Sequence, residues 1–183
     1  MLTLDAKTVR LALVLAACCV GAAARAQDAS ATSGLAVGAG VGYQSPVLGG
    51  QVDYYWLPEG SPVHFAAHLG AGWVPPSKIG SAQTDGALGL AGGAFAFVGH
   101  HHRALLDVSY GLTGTQAQVA GSTVLRQERS YGITAAAGYE YMSSGGFLIR
   151  ATVGASFIVG DIYVPDQSRI VPTISLAVGW KLM

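Results

Sequence analysis

Two groups of residues in the 183-residue sequence have types and spacings that could form ion pairs or bind a metal ion. The first is a carboxylate and guanidinium pair. Glu140 and Arg150 lie on either side of a short turn at 143–145, so in an antiparallel hairpin they face each other on the same side of the sheet. Opposite charges in a low-dielectric interior must be paired, and we therefore predict an internal salt bridge. The same phase in other segments adds three further members to the predicted polar network: Asp53, Asp107 and Lys181.

Histidines form the second group. His64 and His68 share one face of an alternating segment, but four residues along a strand separate them by about 13 Å, which is too far for both to bind one ion. We therefore expect hydrogen-bonded interior histidines, for which Asp53 on the preceding strand is an available partner. The run His100–His102 lies in a turn, where consecutive side chains point in different directions, and no cysteine or carboxylate adjoins it. A solvated turn is predicted there rather than a metal site.

Apolar residues that recur at every second position predict the elements that must carry these side chains. This period-two pattern is typical of β-strands. Eight segments show it, at 35–43, 51–56, 63–73, 88–97, 106–112, 131–141, 147–159 and 170–182. In the fourth segment the phase changes at Gly92-Gly93, which predicts a β-bulge.

The two faces of these segments differ in an unusual way. One face carries large apolar residues, such as Leu35, Phe65, Val108 and Ile149, and the other carries mainly glycine, alanine, serine and threonine. Charged residues make up 11% of the chain, against about 25% in a typical soluble domain. We therefore expect the large apolar face to contact lipid and the small residues to fill a narrow barrel. A soluble lipocalin-like carrier, with the apolar face inward, is the alternative.

Connections between the segments alternate in length, as they do in transmembrane barrels. Short connections span 58–62, 99–103 and 143–145, and long ones span 75–86, 113–129 and 160–169, while the first, 44–49, fits least well. Aromatic residues end the apolar rows, which predicts two girdles in the headgroup zones. Near the short turns these are Trp56, Phe95, Phe97, Tyr139, Tyr141, Phe147 and Trp180, and near the long loops they are Tyr43, Trp73, Tyr131 and Phe157.

Residues 1–26 have the pattern of a signal peptide, with a basic start, a short apolar stretch and the small-residue cleavage site Ala24-Arg25-Ala26. Cleavage there would leave 27–183 as the exported barrel domain. The stretch that ends at Cys18 also resembles a lipoprotein signal, with Cys18 as the lipidated residue. Both cysteines, Cys18 and Cys19, lie in the segment that signal-peptide cleavage removes, so no disulfide or cysteine metal site is expected in the mature chain.

From Ser33 to Met183 the chain resembles the small eight-stranded outer-membrane β-barrels of Gram-negative bacteria, of the OmpA transmembrane-domain and OmpX type. The resemblance is architectural, and the chain departs from the family by ending in Trp180-Lys181-Leu182-Met183 instead of on an aromatic residue. It implies an all-β, eight-stranded, antiparallel up-and-down transmembrane barrel in the outer membrane. Outer-membrane lipid and the barrel-assembly machinery are the partners that it implies.

The expected role is non-enzymatic, either structural or in interaction through the outer loops. Hydrolysis or acyl transfer would need a serine with a general base beside it at the long-loop end, and no histidine falls there. No cofactor or metal is expected, and the formal net charge of zero disfavours nucleic acid as a partner. An eight-stranded barrel has room for little beyond its own side chains. We therefore expect the charged network to plug the barrel, with a narrow channel for small solutes as the alternative.

Overall fold

The computed structural model describes residues 29–42, 47–74, 77–79, 82–84, 87–115, 129–159 and 169–182. The proposed signal peptide and Tyr43 lie outside the described residues. Within these ranges, a short 3-10 turn, η1 (Ala29–Ala31), precedes ten strands. The strands are β1 (Gly34–Gly42), β2 (Val47–Trp56), β3 (Val63–Val74), β4 (Ser77–Ile79), β5 (Ala82–Thr84), β6 (Ala87–Val98), β7 (His102–Thr115), β8 (Arg129–Met142), β9 (Phe147–Val159) and β10 (Ile170–Leu182).

Eight of the strands form one closed antiparallel barrel in the order β1-β10-β9-β8-β7-β6-β3-β2. Each strand pairs with its neighbours along the chain, and the ring closes where β1 meets β10. The remaining two strands, β4 and β5, form a separate hairpin within the connection from β3 to β6. The predicted fold class, an eight-stranded up-and-down β-barrel, is therefore confirmed.

The barrel carries its large apolar side chains on the outside. Val108, for example, is 60% exposed, and Leu35, Phe65 and Ile149 are exposed as well. The inward positions alternate with these along the strands and are buried or partly buried, as the burial patterns of β9 and β10 illustrate. The predicted assignment of the two faces is thus correct. Within the described residues, no helix is long and apolar enough to cross a membrane.

Strand β6 differs from the prediction. It pairs with β3 and β7 without a register shift at Gly92 and Gly93, so the bulge predicted there is wrong. Phe95 and Phe97 are only 2% and 1% exposed and point into the barrel, so they do not belong to an outer girdle. The apolar phase changes in the sequence because this end of the interior is itself apolar, and the backbone stays regular. The register shift that the strand pairing does contain lies in β7, between Leu112 and Gly114.

The interior changes character along the barrel axis. The half near the short turns holds a cluster of buried large side chains, formed by Tyr55, Phe95, Phe97, Leu105, Met142 and Leu148 together with Ala36 and Ala66. The half near the long connections carries small hydroxyl residues, among them Ser109, Thr134, Ser156 and Ser175. Large side chains therefore fill the interior near the short turns, and small ones line it near the long connections.

Where β1 meets β10, the two strands approach each other through glycine. Gly38 is paired with Gly179 in this seam. A Cβ atom added at Gly38 would lie 2.8 Å from the carbonyl oxygen of Val178, and one added at Gly179 would lie 2.5 Å from that of Val37. Both distances are far shorter than van der Waals contact, so the seam requires residues without a side chain.

Candidate functional site

The turn between β8 and β9 determines the position of the central ion pair. The Ser143 amide donates to the carbonyl of Phe147 at 2.8 Å, and the Gly146 amide donates to that of Ser143 at 3.0 Å. Gly146 has a φ of 90°, a conformation that favours glycine. This tight turn pairs Glu140 with Arg150 in the ladder and directs both side chains inward.

Glu140, Arg150 and Asp53 meet in the barrel interior. Arg150 donates from Nε to Glu140 Oε2 at 2.8 Å and from Nη2 to Asp53 Oδ2 at 2.9 Å. All three residues are buried. Hydrogen bonds between charged groups in such surroundings are the strong kind, and each charge here has a partner of opposite sign. The structure therefore brings these three predicted network residues together.

Arg103 is a member of this network that sequence reasoning assigned to a turn. It lies in β7, is completely buried, and donates from Nη1 to Glu140 Oε1 at 2.8 Å. Its guanidinium carbon lies 4.7 Å from the centre of the Phe97 ring, a favourable cation–π arrangement. Counting back by twos from inward-facing Asp107 would have assigned Arg103 to the interior.

Tyr55 connects the charges to the aromatic layer. Its hydroxyl donates to Glu140 Oε2 at 2.7 Å and accepts from Arg150 Nη2 at 2.7 Å. Its ring meets the rings of Phe95 and Phe97 edge-on, each with a centroid distance of 5.9 Å. The network therefore sits within a packed aromatic layer that surrounds its hydrogen bonds with apolar groups.

Lys181, the remaining predicted cation, is directed towards the start of the described chain. Its ammonium group donates to the Thr32 carbonyl oxygen and to Thr32 Oγ1, and it lies 5.7 Å from the centre of the Tyr55 ring. Arg103 contacts the same segment, because its Nη2 donates to the Ser30 carbonyl oxygen at 2.7 Å. The structure thus places two buried cations against the main chain that precedes β1.

His68 pairs with Asp107 instead of Asp53. His68 Nε2 lies 3.0 Å from Asp107 Oδ2, and both side chains are buried. Asp53 is the neighbour of His68 in the ladder between β2 and β3, but its carboxylate binds Arg150. His68 on β3 can contact Asp107 on β7 across the intervening strand β6, because the residue opposite His68 on β6 is Gly93, which has no side chain.

The ring of His64 lies 6.3 Å from that of His100, whereas the other two histidines of the run make different contacts. The ring of His64 packs against Phe97 with a centroid distance of 5.4 Å. His101 Nδ1 lies 2.9 Å from the Met142 carbonyl oxygen, whereas His102 is exposed and contacts the Tyr139 hydroxyl. The described residues contain no group of three or more histidine, cysteine, aspartate or glutamate side chains that could hold a metal ion.

The aromatic residues predicted to form girdles, apart from Tyr43 and the inward-facing Phe95 and Phe97, lie near the ends of the outer rows. At the short-turn end, Trp56 pairs with Phe65 at 5.9 Å, Phe147 pairs with Trp180 at 5.7 Å, and Tyr139 and Tyr141 lie beside His102. At the opposite end, Tyr131 stacks on Tyr110 at 6.0 Å, and Trp73 and Phe157 are exposed. Outward aromatic side chains therefore lie near both ends of the barrel, and their place in two headgroup girdles stays a prediction.

No protein-family model matches the sequence, and no curated protein sequence matches it. Among solved structures, the chain is similar to the crystal structure of the N-terminal β-barrel domain of Pseudomonas aeruginosa OprF. The alignment covers 82% of this chain and 99% of that domain, with 14% sequence identity and a TM-score of 0.47. At this level of similarity, the assignment of an eight-stranded barrel depends on the strand pairing of the chain itself.

Proposed function

We propose that the chain is a non-enzymatic outer-membrane β-barrel with a structural or surface-interaction role, a plugged polar interior and four extracellular loops. The distribution of side chains between the two faces carries this proposal. Exposed leucine, isoleucine, valine and aromatic side chains surround the barrel, while Arg103, Glu140 and Arg150 are completely or almost completely buried inside it. A soluble carrier would have the opposite arrangement.

The membrane explains both halves of this arrangement. Contiguous apolar patches of more than a few hundred Å² are rare on soluble monomers, whereas hydrocarbon solvates such a surface. A closed barrel also satisfies the backbone of every strand within the ring, as a bilayer requires. The barrel strands have 9 to 14 residues, and about 9–11 tilted residues cross a bilayer.

The proposed orientation follows from the connections. Residues 57–62, 99–101 and 143–146 join strands at one end in short turns. The connections at the other end include the longer ones, and one of them contains the β4–β5 hairpin. Transmembrane barrels place short turns in the periplasm and long loops outside. The long-loop end is therefore the surface proposed to meet extracellular partners.

A plug is favoured over a channel because side chains fill the short-turn half of the interior. Tyr55, Phe95 and Phe97 pack around the ion pairs there, and an eight-stranded barrel is only wide enough for its own side chains.

The His68 and Asp107 pair is also buried inside the barrel, out of reach of lipid substrates at its surface. This position supports a non-enzymatic role.

Heat-modifiable gel migration of the full chain extracted from membranes tests the proposal. A folded barrel should resist unheated detergent and migrate differently after boiling, and it should fractionate with the outer membrane. Protein that stays in solution without detergent would contradict the membrane assignment. Planar-bilayer recording tests the plug separately, because stable unitary conductance would mean that the interior is open.

A further inference from the structure

The short-turn end of the barrel is covered by the chain's own residues Ala29–Ser33, here called the strap. Arg103 donates to the Ser30 carbonyl oxygen at 2.7 Å, and Lys181 donates to the Thr32 carbonyl oxygen. Ser30 is completely buried. The strap is anchored on its outer side by the Leu57 amide, which donates to Ser33 Oγ at 2.9 Å. Two cationic side chains at this end thus use strap oxygens as hydrogen-bond acceptors.

An open cleft of about 630 Å³ adjoins the strap. Ala31 of the strap forms one wall, and the turns after β2 and β6 form the others, with His64 and His100 among the lining residues. His64 is only 8% exposed, and its Nδ1 has no hydrogen-bond partner among the described residues. An unpartnered buried nitrogen is costly, and His64, the residue that carries it, is among those that line the cleft.

We propose that this end of the barrel is a binding site for a small carboxylate or phosphate anion, and that the strap occupies the site when the anion is absent. Guanidinium, ammonium and imidazole groups are the donors that bind such oxyanions. The main-chain carbonyl oxygens of Ser30 and Thr32 carry partial negative charge and satisfy Arg103 and Lys181. An anion that enters through the cleft competes with them and gains His64 as a third donor.

Neighbouring carboxylates limit the ligand that fits. Arg103 remains bound to Glu140 at 2.8 Å, so part of its charge is already balanced. Glu59 is exposed and lies among the lining residues of the cleft, where it repels a highly charged ligand. The site therefore fits one oxyanion group on a small solute and disfavours a polyanion. This inference rests on the proposed plugged barrel and adds a ligand class to its periplasmic end.

Inorganic phosphate is the probe for the experiment, titrated against chloride at constant ionic strength into the full chain folded in detergent. Phosphate affinity is measured by calorimetry, and strap release is measured by hydrogen exchange of the Leu57 amide. Ser33→Ala removes the strap anchor and should tighten phosphate binding roughly fivefold, the typical value of one hydrogen bond. Lys181→Met removes a donor and should weaken binding at least tenfold. Ser156→Ala removes an interior hydroxyl group far from the strap and should leave the phosphate affinity unchanged.

Tighter binding in the Ser33→Ala variant is the decisive result, because a merely structural strap would give no change or a weaker site. In the wild type, phosphate should accelerate exchange of the Leu57 amide severalfold. The inference is overturned if phosphate leaves this exchange unchanged, or if Ser33→Ala fails to tighten binding while heat-modifiable migration shows a folded barrel. Failure of the membrane proposal would instead appear as loss of outer-membrane fractionation, with or without phosphate binding.

Discussion

Replacing Glu140 with glutamine tests whether the interior network holds the barrel together. The substitution keeps the shape of the side chain but removes the one negative charge that both Arg103 and Arg150 contact, at 2.8 Å and 2.7 Å. Asp53 still pairs with Arg150, so Arg103 is the cation left without a carboxylate among these ion pairs. Removing one partner of a buried ion pair costs about 3–5 kcal/mol. We expect the free energy of unfolding to fall by that amount.

Urea unfolding in lipid vesicles, followed by tryptophan fluorescence and by gel migration, measures this change. Glu59→Gln is the matched control, because Glu59 is an exposed turn carboxylate and surface substitutions usually alter stability by less than about 0.5 kcal/mol. Equal free energies of unfolding for the folded Glu140→Gln and Glu59→Gln variants would refute a stabilising role of the Glu140 charge. Such a result would mean that water or a rearranged arginine replaces the carboxylate at no cost.

Three other substitutions, two of them with a control variant, test how the barrel packs on its inner and outer faces. Gly93→Ala should lower the folding yield in vesicles, because a Cβ atom there would lie 2.4 Å from the Val108 carbonyl oxygen. Gly50→Ala should be tolerated, since the atom nearest to a Cβ added at Gly50 is 3.5 Å away. Val108→Lys should destabilise the barrel in lipid by about 2–4 kcal/mol, and an unchanged urea midpoint would contradict a lipid-facing position. Phe97→Ala should cost about 3–5 kcal/mol by opening a cavity, and Phe65→Ala on the outer face should cost clearly less in the same titration.

The strands and their two faces could be predicted because they depend on local alternation. In the stretch around Leu106, Asp107 and Val108, the sequence alone separates outward from inward positions, and the structure agrees. The same rule failed in β6, because Phe95 and Phe97 are apolar residues on the inner face. A period-two pattern separates the two faces only where one of them is apolar and the other is not, and the interior here is packed with aromatic rings.

Whether a contact within the site could be predicted from the sequence depends on how far apart its residues lie along the chain. The Glu140 and Arg150 contact follows from one hairpin of known turn length, so it could be inferred without the fold. The bonds from Tyr55 to Glu140 and from Arg150 to Asp53 join residues 85 and 97 positions apart. They depend on how far the strands are staggered when the barrel closes, a quantity that alternation does not encode. Residue spacing therefore identified members of the network but not their partners.

The glycine pair at the seam has a consequence for how the ring can form. Gly38 and Gly179 let the first and last strands meet through bare backbone at this point of the seam, so no side chain lies between the two strands there. A methyl group at either position would overlap with the backbone of the facing strand. A substitution at Gly38 or Gly179 is therefore expected to hinder the pairing of β1 with β10 and so the closure of the barrel.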